Sequence, residues 1–234
     1  MHPLDNVIWQ ALTTRQAEFA ESFDHACKFP NDVSTLSALL EPSSRGYASL
    51  ARLAAPGAVV ILSLTAPYQP QPGWDLVTSF VGLQMVCDNG HADSGAGVSS
   101  RPTGSQPAIA ELRPPDSRDM VELATLTRPG PFSTRTHELG KYLGIRLDGK
   151  LVAMAGERLK VPSYTEVSAV CTHPDHTGKG YARILMGEIM QEIRQRGEIP
   201  FLHVKEDNAR AIELYKSLGF RTRMRVNFTA LKKL

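Results

Sequence analysis

The stretch HPDHTGKGYARILM, residues 173–186, joins an apolar segment to an amphipathic one across two glycines, Gly178 and Gly180. The first turn of a helix carries backbone N–H groups without intrahelical partners, and the aligned peptide dipoles place partial positive charge there. Glycine leaves such a junction bare, so an anion of phosphate type can approach the amides. Downstream, Tyr181, Leu185, Ile189 and Ile193 recur four apart with Ala182, Met186 and Met190 beside them, while Arg183, Glu192, Gln195 and Arg196 fall elsewhere. This spacing predicts a helix from about Gly180 to Arg196, docked on a sheet with its N-terminus aimed at whatever fills the loop. The stretch is not a P-loop, because Tyr181 and Ala182 follow Gly180 where a lysine and a hydroxyl residue are needed. It is a poor dinucleotide fingerprint too, since Arg183 stands where the third small residue belongs.

Working outward, the segments Ala108–Leu112, Tyr142–Leu147, Leu151–Leu159, Glu166–Cys171, Phe201–Val204 and Phe220–Phe228 read as strands. Asp116–Thr127 and Asn208–Leu218 read as helices, and Asp148-Gly149 is a hairpin turn. Strands alternating with helices define an α/β domain over residues 108–234 with a mixed sheet. Residues 88–107 (DNGHADSGAGVSSRPTGSQP) are rich in Gly, Ser and Pro and read as a flexible linker. Before them, Asn6–Phe29 and Arg45–Ala54 carry helical spacing, whereas Ala58–Thr65 and Leu76–Val86 look like strands. Residues 1–87 are therefore expected to form an additional α/β lobe.

The strand, the His-Pro-Asp-His turn, the Thr-Gly-Lys-Gly-Tyr-Ala loop and its helix, followed by a strand and the segment DNARAIELYKSLGF (207–220), resemble the GCN5-related N-acetyltransferase (GNAT) superfamily. Among its branches the chain looks most like the FR47-like members. The resemblance implies a GNAT acyl-CoA N-acyltransferase fold and acetyl-coenzyme A as co-substrate. It implies that the loop Thr177, Gly178, Lys179, Gly180, Tyr181 and Ala182 wraps the pyrophosphate, with Val170, Cys171 and Thr172 of the preceding strand along the cofactor. Asn208 would contact the pantetheine arm, and Tyr215 would sit by the thioester sulfur to protonate the departing thiolate. Thr177 departs from the family's usual Gln or Arg, which bears on cofactor affinity. By the same resemblance, the first lobe looks like a degenerate partial copy of the fold. It has no glycine loop of its own, and it would form one wall of the acceptor cleft. A chain beginning near Pro107 would then keep the cofactor site but lose solubility or acceptor turnover.

Read for themselves, Asn208 and Tyr215 lie seven residues apart and share a helix face, which also suits an N-cap and a core aromatic. Transfer to an amine needs a free base form of that amine. At neutral pH this costs roughly 4–5 kcal/mol for a lysine-like amine and about 1–1.4 kcal/mol for an α-amine. Alternation places Glu166, Ser168, Val170 and Thr172 on one face of their strand, and Glu166 is the candidate base. Phe132 and Arg135, in the Pro/Gly-rich stretch TRPGPFSTRTH (127–137), are candidate acceptor-site residues. Cys171, His173, Asp175 and His176 lack metal-ligand spacing, so no metal is expected. Arg221, Arg223 and Arg225 alternate along one strand face.

Lys plus Arg exceeds Asp plus Glu by only 26 to 24, which argues against a nucleic-acid or membrane partner and for a small amine or peptide acceptor. Three cysteines without a CxxC pair fit a reducing compartment. The N-terminal MHPLDNVIWQ lacks the basic and apolar regions of a signal peptide, so a cytoplasmic monomer or homodimer is expected. Two other functions stay open at this point, a coenzyme A-binding sensor without acceptor chemistry and transfer of a longer acyl group.

Overall fold

The structure, a computed structural model, describes residues 2–88 and 107–234. In chain order, helix α1 (Val7–Thr13) precedes a small antiparallel sheet of β1 (Glu21–Phe23), β2 (Ala26–Lys28) and β3 (Ser37–Leu39), followed by α2 (Ser44–Leu53), β4 (Val59–Leu64) and β5 (Trp74–Val86). The second part runs β6 (Ile109–Leu112), α3 (Ser117–Thr127), β7 (Tyr142–Leu147), β8 (Lys150–Val161), β9 (Tyr164–Thr172), α4 (Tyr181–Gln195), β10 (Ile199–Lys205), α5 (Ala209–Ser217) and β11 (Arg221–Lys233). The helix expected over 6–29 stops at Thr13. There Thr13 and Thr14 turn their hydroxyls back on the carbonyls of Trp9 and Gln10, and Asp24 takes a left-handed φ of 48° to reverse the chain into β2. Asp148 and Gly149 both have positive φ, as a tight two-residue hairpin requires.

Eight strands form one mixed sheet in the order β4-β11-β5-β10-β9-β8-β7-β6. Residues 1–87 are thus not a separate lobe beside the sheet. β5 lies between β10 and β11, antiparallel to both, and β4 extends the far edge along β11. The reason lies in the length of β5. Its thirteen residues reach from Trp74, opposite Lys233, to Val86, opposite both Arg221 and Phe201, so two strands that cannot pair with each other are bridged by one. Gly82 permits this join, because a Cβ there would meet the Phe228 ring at 2.8 Å. Most of the linker expected over 88–107 lies outside the described residues.

Helix α4 covers one face of the sheet. Leu185, Met186, Ile189, Met190 and Ile193 pack on Val152, Ala155, Val167, Leu202 and Val204, at roughly 1.5–3 kcal/mol per fully buried side chain. On the other face, α3 sets Met120 and Leu123 against Leu112, Tyr142 and Met154. Beside it, α1 and the turn before it set Leu4, Ile8 and Leu12 against Leu159, Val161 and Phe201. No helix of the described residues is long and apolar enough to cross a membrane.

A chain shortened to residues 107–234 loses β5 and leaves β10 and β11 with bare edges in mid-sheet. We expect it to be insoluble or to lack a cooperative thermal transition by circular dichroism. A cooperative melt at the temperature of the full chain would show that β5 is dispensable.

Candidate functional site

β9 and β10 are the parallel pair of the sheet, and they pair only from Tyr164–Glu166 to Ile199–Phe201 before they part. β10 turns away along β5 as far as Lys205, while β9 stays with β8. Within β9, Ala169 has φ 52°, a left-handed backbone that residues other than glycine seldom adopt, and β8 offers no register partner to Ala169 or Val170. This bulge breaks the alternation expected for the strand. Val167 and Val170 both face the α4 core, whereas Ala169 and Cys171 join the α3 core. The opened fork is continuous with a groove of about 820 Å³.

All eleven residues expected to hold the cofactor line this groove: Val170, Cys171, Thr172, Thr177, Gly178, Lys179, Gly180, Tyr181, Ala182, Asn208 and Tyr215. Gly178 and Gly180 have φ 81° and 80°, and nothing lies within 4 Å of where their Cβ atoms would stand. Among the described residues, no amide from Gly178 to Arg183 donates to a backbone carbonyl. This bare run of donors at the N-terminus of α4 is of the kind that can cradle a diphosphate. Thr177 spends its hydroxyl on the carbonyl of Pro174 at 3.1 Å, closing the turn. Asn208 caps α5 by accepting from the Ala211 amide at 3.2 Å. Tyr215 is buried against Phe220, and burial pushes its hydroxyl up to about 12, so it keeps its proton at any physiological pH. Burial likewise raises the Cys171 thiol to about 11, which leaves it a poor nucleophile.

Glu166 is not placed as a base. It is wholly buried, and Arg158 donates to it twice, from Nε at 2.9 Å and Nη2 at 2.8 Å. Burial alone would raise its carboxyl, but the Arg158 guanidinium and the hydrogen bond from His203 outweigh that and hold it at about 2. A carboxylate so held stays ionised and does not take up a proton near neutral pH.

The group that Glu166 holds is His203, whose Nδ1 lies 2.7 Å from Glu166 Oε1 across the mouth of the fork. The tautomer follows from the next neighbour. Gln84 Oε1 accepts from Arg223 Nη1 at 2.8 Å and Gln84 Nε2 donates to the Leu4 carbonyl at 3.0 Å, which fixes the amide's orientation. Its remaining proton points to His203 Nε2 at 3.2 Å, so the imidazole carries its own proton on Nδ1, toward Glu166. Arg223, Gln84, His203, Glu166 and Arg158 thus form one hydrogen-bonded chain across β11, β5, β10, β9 and β8.

Sequence reasoning missed His203 and Arg158, both of which line the groove. The alternation of Phe201, His203 and Lys205 was a signal for the first, but Arg158 in GERLK reads as surface. Leu36, Ile61 and Phe80 from the first 87 residues line the groove as well. Phe132 and Arg135 do not. Phe132 packs edge-on to Tyr142, and Arg135 pairs with Asp32 and Glu138, bracing its loop to the N-terminal part. Arg128, Gly130 and Pro131 of that loop reach the groove instead. Arg221, Arg223 and Arg225 are paired with Asp88, Asp5 and Glu206 respectively. No group of three His, Cys, Asp or Glu side chains among the described residues is arranged to hold a metal.

Comparison with known proteins agrees with this architecture. The family model described as FR47-like protein matches residues 142–229. A crystal structure of a GNAT-family protein from Novosphingobium aromaticivorans superposes with a TM-score of 0.88 at 34% identity, covering 100% of both chains. The chain belongs to the GNAT family of acetyltransferases. It is also 37% identical over 99 residues to the N-alpha-acetyltransferase RimI of Mycobacterium tuberculosis, and 32% identical over 96 residues to the ribosomal protein bS18-alanine N-acetyltransferase of Escherichia coli. These matches take in 39% and 38% of this chain and span 61% and 64% of the relatives' lengths.

The Glu166 carboxyl, lowered from 4.5 to about 2, contributes stability that is complete above about pH 4.5 and is lost as the pH falls through about 2. The shift corresponds to a loss on the order of 3 kcal/mol. Urea unfolding at pH 7, 4 and 2.5 should show this fall, and the double variant Arg158→Met/Glu166→Leu should show a shallower pH dependence. Equal slopes for both proteins would remove the ion pair from the account of acid stability.

Proposed function

We propose that this protein transfers the acetyl group of acetyl-coenzyme A to a primary amine by direct attack within a ternary complex. The observation that carries the reading is that one groove, passing through the β9–β10 fork, joins an anion cradle at Gly178 and Gly180 to Tyr215 and His203. In this reading the loop amides and the α4 N-terminus hold the pyrophosphate, and Lys179, Arg183 and Arg210 offset its charge. The side-chain Nδ2 of Asn208, whose Oδ1 caps α5, serves the pantetheine arm. The backbone of β9 at the Ala169 bulge, where β8 gives Ala169 and Val170 no register partner, is where we assign the donors to the thioester carbonyl as it becomes an oxyanion.

The proton steps follow from the tautomer. The attacking amine gives its proton to His203 Nε2, with loss of the 3.2 Å contact to Gln84, while Glu166 faces the resulting imidazolium through Nδ1. The C–S bond breaks and the thiolate takes the Tyr215 phenol proton. Glu166 in this scheme positions and steadies His203 and is not itself the base. An α-amine asks less of that base than a lysine side chain does, because more of it is already neutral near pH 7.

Acetyl-coenzyme A should raise the melting temperature of the protein by mass action. Gly180→Val should abolish that rise, because a side chain there both strains a φ of 80° and fills the cradle. A melting temperature unmoved by saturating acetyl-coenzyme A or coenzyme A would overturn the reading at its root.

Tyr215→Phe and His203→Gln should each lower turnover by about 10²- to 10⁴-fold while leaving the coenzyme's effect on melting in place. A protein that binds the coenzyme yet shows no amine-dependent thiol release would instead be a coenzyme A-binding sensor.

A further inference from the structure

The groove has a second end beyond the fork, and its composition differs from that of the cofactor cradle. A chain of contacts orders it. Lys205 Nζ stands 4.8 Å over the Phe80 ring, Phe80 stacks on Phe228 at 5.4 Å, and Phe228 meets His203 edge-on at 5.3 Å. His203 leads through Glu166 to Arg158, and the loop at Gly130 closes over Arg158 Nη1. Leu36 and Ile61, joined by a parallel bridge, supply an apolar wall.

Charge at this end is one-sided. Arg128, Arg158 and Lys205 line it, and no Asp or Glu is among the described residues that line the groove. Arg158 is 8% exposed, and its Nε and Nη2 are taken by Glu166, but Nη1 has no hydrogen-bond partner among the described residues. Glu166 neutralises Arg158, whereas Arg128 and Lys205 pair with no carboxylate among the described residues. An unfilled guanidinium donor at the groove wall, flanked by two cations without a carboxylate partner, attracts an anion and repels a polycation.

We propose, resting on the acetyl-transfer reading above, that the acceptor is an α-amino acid with a free carboxylate and an apolar side chain. Arg158 Nη1 and Arg128 bind the carboxylate, Leu36, Ile61, Phe80 and Phe228 enclose the side chain, and the amine faces His203. Polyamines, aminoglycoside-like amines and lysine side chains in basic peptides are disfavoured by the same cations. Specificity here is as much a matter of repulsion as of fit. The residues that carry it come from both parts of the chain, so the N-terminal part selects the acceptor.

The test measures thiol release from acetyl-coenzyme A by the full chain with leucine and methionine, with leucinamide, with spermidine, and with a short peptide beginning in alanine. We expect kcat/KM for leucine to exceed that for leucinamide and for the peptide by at least about 10-fold, with spermidine inert. Leucine, and not leucinamide, should further raise the melting temperature of the coenzyme A-saturated protein. Arg128→Glu and Lys205→Glu should each shrink the leucine to leucinamide ratio by about 10-fold. These exposed side chains are tested in place of Arg158, whose loss strands Glu166 as a buried lone charge. If leucinamide, spermidine or the peptide is the better acceptor, this inference is overturned while acetyl transfer stands. If no amine releases thiol although acetyl-coenzyme A raises the melting temperature, both fall together.

Discussion

Past Glu166 and Phe201, two parallel strands stop sharing hydrogen bonds, and the candidate site is arranged around that gap. A sheet does not open in mid-layer without loss, because each parting strand leaves backbone donors and acceptors unpaired. β10 recovers its bonds from β5, and β9 keeps β8 on its other side but takes up a bulge at Ala169 that turns its later side chains over. The mouth of the gap is then stitched by the Arg158–Glu166–His203 chain. Buried charges of this kind are weak contributors to net stability, since the cost of desolvating them offsets most of their attraction. Their value lies in fixing where a strand fork opens and which nitrogen of His203 faces it.

The partner that makes the fork possible comes from the other end of the chain. β5 precedes the family-matched segment 142–229 by more than fifty residues, yet it sits between two strands of that segment. Local contacts cannot produce this, so β5 has to close a long loop before its thirteen residues gain any pairing. The gain is large once made, with β11 along its whole length on one side and β10 on the other. One consequence is that Gln84, near the C-terminal end of β5, reaches His203 directly. The N-terminal part is bound into the site through both the sheet and this amide.

The two ends of the groove share a positive field but differ in how they make it. At the glycine loop the field comes chiefly from backbone, through bare amides at left-handed glycines and a helix N-terminus, with exposed lysine and arginine side chains outside. Past the fork it comes from side chains set among aromatic and aliphatic walls, where the low dielectric makes a single unfilled donor count for more. A loop of this kind is largely indifferent to side-chain identity, and Thr177 closes its turn through a single hydroxyl bond to Pro174.

The glycine-loop half of the candidate site was legible in the amino-acid order because it rests on local devices. Two glycines one residue apart, an amphipathic repeat and an asparagine seven residues before a tyrosine are each short-range patterns with a short-range cause, and the strands and helices after residue 108 followed them closely. What failed was whatever depended on a distant neighbour. Glu166 read as a base because alternation along a strand says which face a side chain takes but not that Arg158 waits there. His203, Arg158 and Gln84 share no sequence pattern, since they lie on three strands brought side by side only by the sheet. Residues 1–87 read as a lobe because their strands look the same from within whether they pair with each other or with β10 and β11. Sequence alone determined the local turns, helices and anion cradle through backbone conformation and periodicity. Only the tertiary structure decided the strand order, the Glu166–His203 pair and the apolar wall at the far end of the groove, because those follow from contacts whose free energy appears only when far-separated segments meet.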